Sequence, residues 1–172
     1  EADYVIGTVA KTAERDGFKV FMVTPDKDYA QLVSENIFMY KPKRMGNEIE
    51  VWGIEQVKEN FQVDNPLQVI DVLGLMGDSA DNIPGCPGIG PKTAMKLIGV
   101  FGSVDGVYQN IESLKGKMKE SLQAYEGQVR MSRKLAEIIL DVPISRQPKT
   151  FERQEPDMAI LQPVFAELEF RS

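Results

Sequence analysis

From Gly77 to Lys92 the chain reads Gly-Asp-Ser-Ala-Asp-Asn-Ile-Pro-Gly-Cys-Pro-Gly-Ile-Gly-Pro-Lys, and the hydrophobic pattern differs in kind on either side of it. Short β-type runs punctuate the residues before this segment, whereas after it strand signals largely stop and a helical period takes over. A chain divided in this way has to fold as an α/β unit packed against an α cluster. The dividing segment also carries chemistry. Asp78 and Asp81 stand three apart, so at a helix end they would face the same way and could share a cation with carboxylates from elsewhere. Further on, Gly88-Ile89-Gly90-Pro91-Lys92-Thr93 opens a helix: the glycines allow close backbone approach, Pro91 suits the first helical position, and Lys92 would sit beside exposed N–H groups that can hold a phosphate. Taken alone, Gly-x-Gly-Pro serves equally as a tight turn capping a core helix. The acidic pair just upstream favours the phosphate reading.

Residues 2–16 place Val5, Ile6, Val9 and Ala13 at helical spacing, with Gly17 positioned to end the helix. Val20 to Thr24 reads as a buried strand closed by Pro25, which puts Asp26 and Asp28 just past a strand's carboxyl end, where open α/β sheets bind ligands. Strands at Ile37–Tyr40 and Glu48–Trp52 flank a turn over Pro42–Asn47, and helices are predicted over Ile54–Phe61 and Leu67–Met76. Ala94, Leu97, Ile98 and Phe101 mark one helix face, Gly102 interrupts it, and further helices are expected over 103–109, 117–125 and 128–140. Residues 141–150 read as extended chain, and a last helix begins near Pro156, to be kinked or divided at Pro163. With no repeat and no long linker, the two halves are expected to pack together.

Net charge is −6, but it is unevenly spread. Residues 1–85 carry −7, residues 86–134 carry +4 and residues 135–172 carry −3. Such a division suits a polyanion held by the middle segment while cations bound by the first segment act on it; ordinary solvated faces would account for it as well. A hydrophobic content of 42% is enough for a core without metals or disulfides. There is no histidine and a single cysteine, Cys86, which rules out an internal disulfide and a conventional zinc site and points to the cytoplasm. No apolar run approaches the roughly 18 residues of a membrane span, and the charged N-terminus is unlike a signal peptide. The absent initiator methionine points to a piece of a longer protein.

Three acidic groups stand out: Glu1 with Asp3, Asp26 with Asp28, and Asp78 with Asp81. Converged, they would form an anionic pocket in which each pair about 4 Å apart costs roughly 4 kcal/mol at an effective dielectric of about 20, so the pocket needs cations or raised pKa values. Oxygen ligands imply Mg²⁺ or Mn²⁺, and two such ions could cleave a phosphodiester without a histidine base. Taken singly, each pair is equally a solvated surface feature. Two competing readings of Asp-x-Asp weaken on inspection. An EF-hand loop wants a further oxygen ligand and then glycine, and a haloacid dehalogenase wants threonine two residues after the second aspartate, whereas this chain has Ala30 and Gln31.

Glu1-Ala2-Asp3, Thr24-Pro25-Asp26-Lys27-Asp28, Gly77-Asp78-Ser79-Ala80-Asp81-Asn82 and Pro87-Gly88-Ile89-Gly90-Pro91-Lys92-Thr93-Ala94, in that order and spacing, resemble the 5′ nuclease domain of bacterial DNA polymerase I. Glu155-Pro156-Asp157 and the ending Leu168-Glu169-Phe170 extend the resemblance over essentially the whole chain. The resemblance implies a partial PIN-like, Rossmann-like α/β subdomain over residues 1–85, followed by an all-α helix-hairpin-helix subdomain over 86–172. It implies a metal-dependent 5′-3′ exonuclease or flap endonuclease acting on duplex DNA with a 5′ flap or nick, and on RNA primer strands, beside the rest of a polymerase chain in a bacterial, nucleoid-associated setting. Glu1 and Asp3 would help hold a first Mg²⁺ or Mn²⁺, and Asp26, Asp28, Asp78 and Asp81 a second or its waters. Gly88, Ile89, Gly90, Lys92 and Thr93 would grip duplex backbone, with K⁺ at the hairpin. Two departures stand against the pattern. Tyr4 replaces a usual aspartate, although eukaryotic flap nucleases have a small apolar residue there, and the family's first half is not represented. The resemblance therefore implies an incomplete first metal site, and the alternative expectation for this chain alone is a non-catalytic duplex-binding module.

Overall fold

The computed structural model describes residues 2–42, 49–144 and 148–170. Glu1, Glu48 and most of the turn expected over 42–47 lie outside the described residues. The α/β part begins with α1 (Ala2–Arg15), which ends as expected before Gly17, followed by β1 (Val20–Val23) and a 3-10 helix at Lys27–Leu32. Strands β2 (Ile37–Pro42) and β3 (Ile49–Trp52) complete a three-stranded sheet in the order β1-β2-β3, with β1 parallel and β3 antiparallel to β2. Then come α2 (Ile54–Phe61) and α3 (Val69–Met76).

The remainder is helical: α4 (Pro91–Phe101), α5 (Val104–Gln109), α6 (Gly116–Ala124), α7 (Glu126–Ala136) and α8 (Met158–Glu167). Both halves share one core. It runs from Met22, Ile37 and Met39 on the sheet through Val69, Val72, Leu73 and Leu75 on α3 to Leu97, Ile98 and Val129 on α4 and α7. Helix α3 is buried at every residue from Val69 to Leu75, the signature of a helix enclosed on all sides. Its tightest neighbour is α7. A Cβ added at Gly74 would lie 2.7 Å from Arg133 Cβ and 2.8 Å from its Cα, so the two backbones approach to a distance that only glycine permits. Beside this contact the buried Asp71 carboxylate accepts hydrogen bonds from Arg133 Nε and from the Val104 backbone N–H, each at 2.9 Å.

Four expectations are corrected. Strand β1 is not buried: only Met22 is, while Phe21 and Val23 are 47% and 69% exposed. The sheet faces the core on one side, and on the other Phe21 stacks on Phe38 with the Lys19 ammonium above them. Asp78 and Asp81 lie on a reverse turn instead of a helix end, because Gly77 at φ +74° stops α3 and paired hydrogen bonds between Asp78 and Ile83 fold the chain back. Helix α7 ends at Ala136, before the expected 140, where the buried Gln31 side chain takes the Ala136 carbonyl and the Ile138 N–H. Pro163 sits inside α8, which runs unbroken from Met158 to Glu167, so the expected division does not occur.

Gly74→Val should lower stability by about 1–3 kcal/mol, because the added methyl groups meet α7 backbone that cannot swing aside. Urea denaturation checks this. An unchanged midpoint would mean that the α3–α7 approach is not fixed.

Candidate metal centre and hairpin

Three stretches of chain bring Asp28, Asp78 and Asp81 together. Asp26 caps the 3-10 helix by accepting the Asp28 N–H at 3.0 Å, and that turn places the Asp28 carboxyl beyond the end of β1. Gln31, on the same 3-10 helix, ties it to the end of α7 through hydrogen bonds of 2.9 Å to the Ala136 carbonyl and Ile138 N–H. The turn carrying Asp78 and Asp81 is held from the other side. Gly85 passes so close to Gly77 that an added Cβ would fall 2.3 Å from the Gly77 nitrogen, and its N–H and carbonyl bind Ser132 Oγ and Gln128 Nε2 of α7. Both carboxylate-bearing turns are therefore referenced to one helix.

One carboxylate oxygen from each of Asp28, Asp78 and Asp81 lies within 4.8 Å of the others. Lys27 supplies a cation, in contact with Asp78 and 3.3 Å from Asp28 Oδ1. Burial is the largest influence on Asp28 and pushes its carboxyl up to about 6; Lys27 holds it down only in part, and Asp26 adds like charge. Asp78 goes the other way: burial alone would raise it, but the Lys27 ammonium and the Ala80 N–H bring it below its ordinary value. Lys27 is raised because the two carboxylates outweigh the effect of its own burial. Asp28 Oδ1 is buried and accepts no hydrogen bond, despite the nearby ammonium. A buried carboxylate oxygen without a donor, in an oxygen-only cluster, fits a hard divalent cation.

The other acidic candidates are distributed as follows. Asp3, on α1, accepts a 2.6 Å hydrogen bond from the Tyr29 hydroxyl, and burial together with Asp3 raises that phenol above its ordinary range. Asp3 also lines a cavity of about 140 Å³ with Tyr4, Asp28, Asp81 and Glu137. Asp26 is exposed and outside the close carboxylate group, and Glu1 lies outside the described residues. Lys27, Tyr29 and Gln31 carry no separate signal in the sequence beyond Lys27's place between two aspartates; their roles come from long-range contacts.

The glycine segment forms a tight hairpin between the turn and α4. Ile89 is its buried anchor, donating its N–H to the Cys86 carbonyl at 3.0 Å, while Gly88 at φ +83° and Gly90 have open space where a Cβ would stand. Gly90 caps α4, Lys92 is exposed on its first turn, and Thr93 is half-buried with its N–H on the Gly90 carbonyl. The first-turn N–H groups and Lys92 together form an electropositive end. A groove of about 690 Å³, lined by Lys27, Gly77, Asp78, Ser79, Asn82 and Pro91, runs from Asp78 to the start of α4, while Asp28 and Asp81 line the smaller cavity beside Asp3.

A mixed three-stranded sheet with a carboxylate cluster beyond the end of β1 thus packs beside a helical half that begins with a glycine hairpin. The chain belongs to the 5′-3′ exonuclease family, its N-terminal resolvase-like domain matching residues 1–62 and its C-terminal SAM fold residues 64–159. It is 40% identical over 173 residues to DNA polymerase I of Bacillus subtilis, covering all of this chain and 20% of the relative. It is 39% identical over 171 residues to DNA polymerase I of Mycobacterium leprae, covering 99% and 19%. The chain thus spans about a fifth of the length of these relatives. Among solved structures, T5 5′-exonuclease with bound zinc ions aligns with a TM-score of 0.68 at 25% identity, over 80% of this chain and 50% of that one. The bacteriophage T5 flap endonuclease in a pseudo-enzyme-product complex with DNA and metal ions aligns with the same score, identity and coverage. The catalytic core of Rad2 with DNA shares the fold, with a TM-score of 0.56 at 17% identity over 97% of this chain and 56% of that one. No helix among the described residues is long and apolar enough to cross a membrane.

The raised Asp28 pKa fixes a sign. The folded chain holds this proton more tightly than the unfolded one, so ionisation removes stability as pH rises from about 4 through about 6. Asp28→Asn should therefore match the parent in urea denaturation near pH 4 and exceed it at pH 8 in EDTA. Equal midpoints at both pH values would contradict the assigned burial of the charge.

Proposed function

We propose that this chain is the metal-holding and duplex-gripping part of a 5′ nuclease that hydrolyses phosphodiesters in 5′-flapped or nicked duplex DNA, RNA primer strands included, as one region of a bacterial DNA polymerase I. The observation that carries this reading is the oxygen-only cluster of Asp28, Asp78 and Asp81, whose Asp78 lines a groove that reaches Pro91 at the start of α4. On this reading the work divides near Gly85, with residues 1–85 holding cations and 86–172 holding duplex. Action at the bacterial chromosome places the protein in the cytoplasm.

Asp28, Asp78 and Asp81 would hold one Mg²⁺ or Mn²⁺, with Asp26 orienting Asp28 from its capping position. Asp3, which lines a small cavity with Asp28 and Asp81, would serve a second ion, with Glu1 as the family resemblance implies. When bound, such ions supply Lewis acidity, which activates water and stabilises the departing oxygen. The chain's own contribution is position. Tyr29 fixes one Asp3 oxygen, Gln31 and Ser132 hold the two carboxylate turns at constant separation, and Lys92 with the α4 N-terminus grips phosphates of a duplex whose cut strand runs along the groove. Carbonyls of the hairpin are suited to a K⁺ ion that would neutralise backbone phosphate there.

A 5′ nuclease that includes this chain should cleave end-labelled 5′-flap duplex in Mg²⁺ and lose that activity with Asp78→Asn; cleavage retained in the variant would remove Asp78 from the metal centre. Lys92→Glu should weaken duplex binding about equally for all sequences and lower the salt slope by about 1–2, because phosphate contacts carry the affinity. Binding unchanged over a salt titration would remove Lys92 from the grip.

A further inference from the structure

In the carboxylate cluster a lysine stands where a cation is expected. Lys27 is held between Asp26, which caps the 3-10 helix, and Asp28, which is its sequence neighbour, so its stem has little choice of origin. Its ammonium contacts Asp78 and lies 3.3 Å from Asp28 Oδ1, while Asp78 is 8% exposed and Asp28 Oδ1 is buried. These are the atoms that a divalent ion would need. One positive charge against three carboxylates leaves the cluster under-compensated, and the ammonium, in contact with Asp78, stands 3.3 Å from Asp28 Oδ1 without satisfying it. Two positive charges with several coordination positions would compensate it better, but not while Lys27 occupies the Asp78 oxygen.

The lysine has somewhere to go. Its side chain is 39% exposed and lines the groove that leads to Pro91 at the start of α4. Its unbranched four-carbon stem is flexible enough to turn the ammonium toward that groove. We propose that Lys27 is a tethered counter-ion that occupies the carboxylate cluster in the cation-free chain and gives way to the divalent ion, turning its ammonium to a nucleic acid phosphate in the groove. Lys27 is thus a positioning residue for the empty centre and a phosphate contact for the loaded one. Exchange of this kind couples cation loading to DNA binding: each makes the other's place available. It rests on the reading of Asp28, Asp78 and Asp81 as cation ligands.

The exchange can be read in the parent chain. Acetylation of Lys27, followed by mass spectrometry, should be slow in EDTA, several-fold faster in saturating Mn²⁺, and slow again when a 5′-flap duplex is added in Mn²⁺. A labelling rate indifferent to Mn²⁺, measured under a normal saturable Mn²⁺ isotherm, overturns the exchange while leaving the cation site intact; absence of any saturable Mn²⁺ binding overturns both. Lys27→Met should bind Mn²⁺ about tenfold more tightly in titration calorimetry, since a competing charge is gone, and Lys27→Arg should restore the parent affinity. A purely structural lysine would instead leave Mn²⁺ affinity unchanged or weaken it in Lys27→Met, and that result also overturns the proposal.

Discussion

The close approach of α3 and α7 at Gly74 is the contact on which the rest of the molecule depends. It lets a helix that is buried on all sides pass between the sheet and the helical half, and it sets the buried Asp71 carboxylate against Arg133 and the start of α5. A buried acid of this kind is costly unless its partners are in place, and here the Arg133 guanidinium and the Val104 N–H supply them. From this contact α3 runs directly into Gly77 and the turn bearing Asp78 and Asp81, so the position of two carboxylates is inherited from helix packing.

Helix α7 repeats the role at its far end. Ser132 and Gln128 hold Gly85, just beyond the acidic turn, and the Ala136 carbonyl and Ile138 N–H hold Gln31, three residues from Asp28. The helical half therefore does more than cover one side of the α/β half. It spaces the carboxylates that the α/β half supplies, which is why a division of the chain by sequence pattern and a division by packing need not coincide: α3 belongs to the first in sequence and is packed into the second.

Electrostatics follows from that rigidity. Burial moves Asp28 toward a neutral form, the Lys27 ammonium and the Ala80 N–H keep Asp78 charged, and Lys27 stands between the two carboxylates. The same constraint that makes the empty cluster unfavourable makes it receptive to a hard cation.

Much of this was legible in the chain itself. Apolar spacing located α1, α2 and α4; Gly77 and the hairpin glycines marked their turns; and the ordered acidic motifs, with the glycine segment behind them, pointed to the family. These are local signals, set by backbone sterics and by residues within a turn of one another. What remained for tertiary structure was anything that depends on residues far apart: the exposed outer face of β1, which depends on what packs on the sheet; the reverse turn at Asp78–Ile83, held by Gly85 against α7; the early end of α7 at Gln31; and Lys27 bridging to Asp78 across 51 positions. Sequence decides which side chains are available at each place, because periodicity and turn chemistry act over a few residues. Only the packed chain decides which carboxylates come within reach of one another, because that is a distance between segments, fixed by the one helix that touches them both.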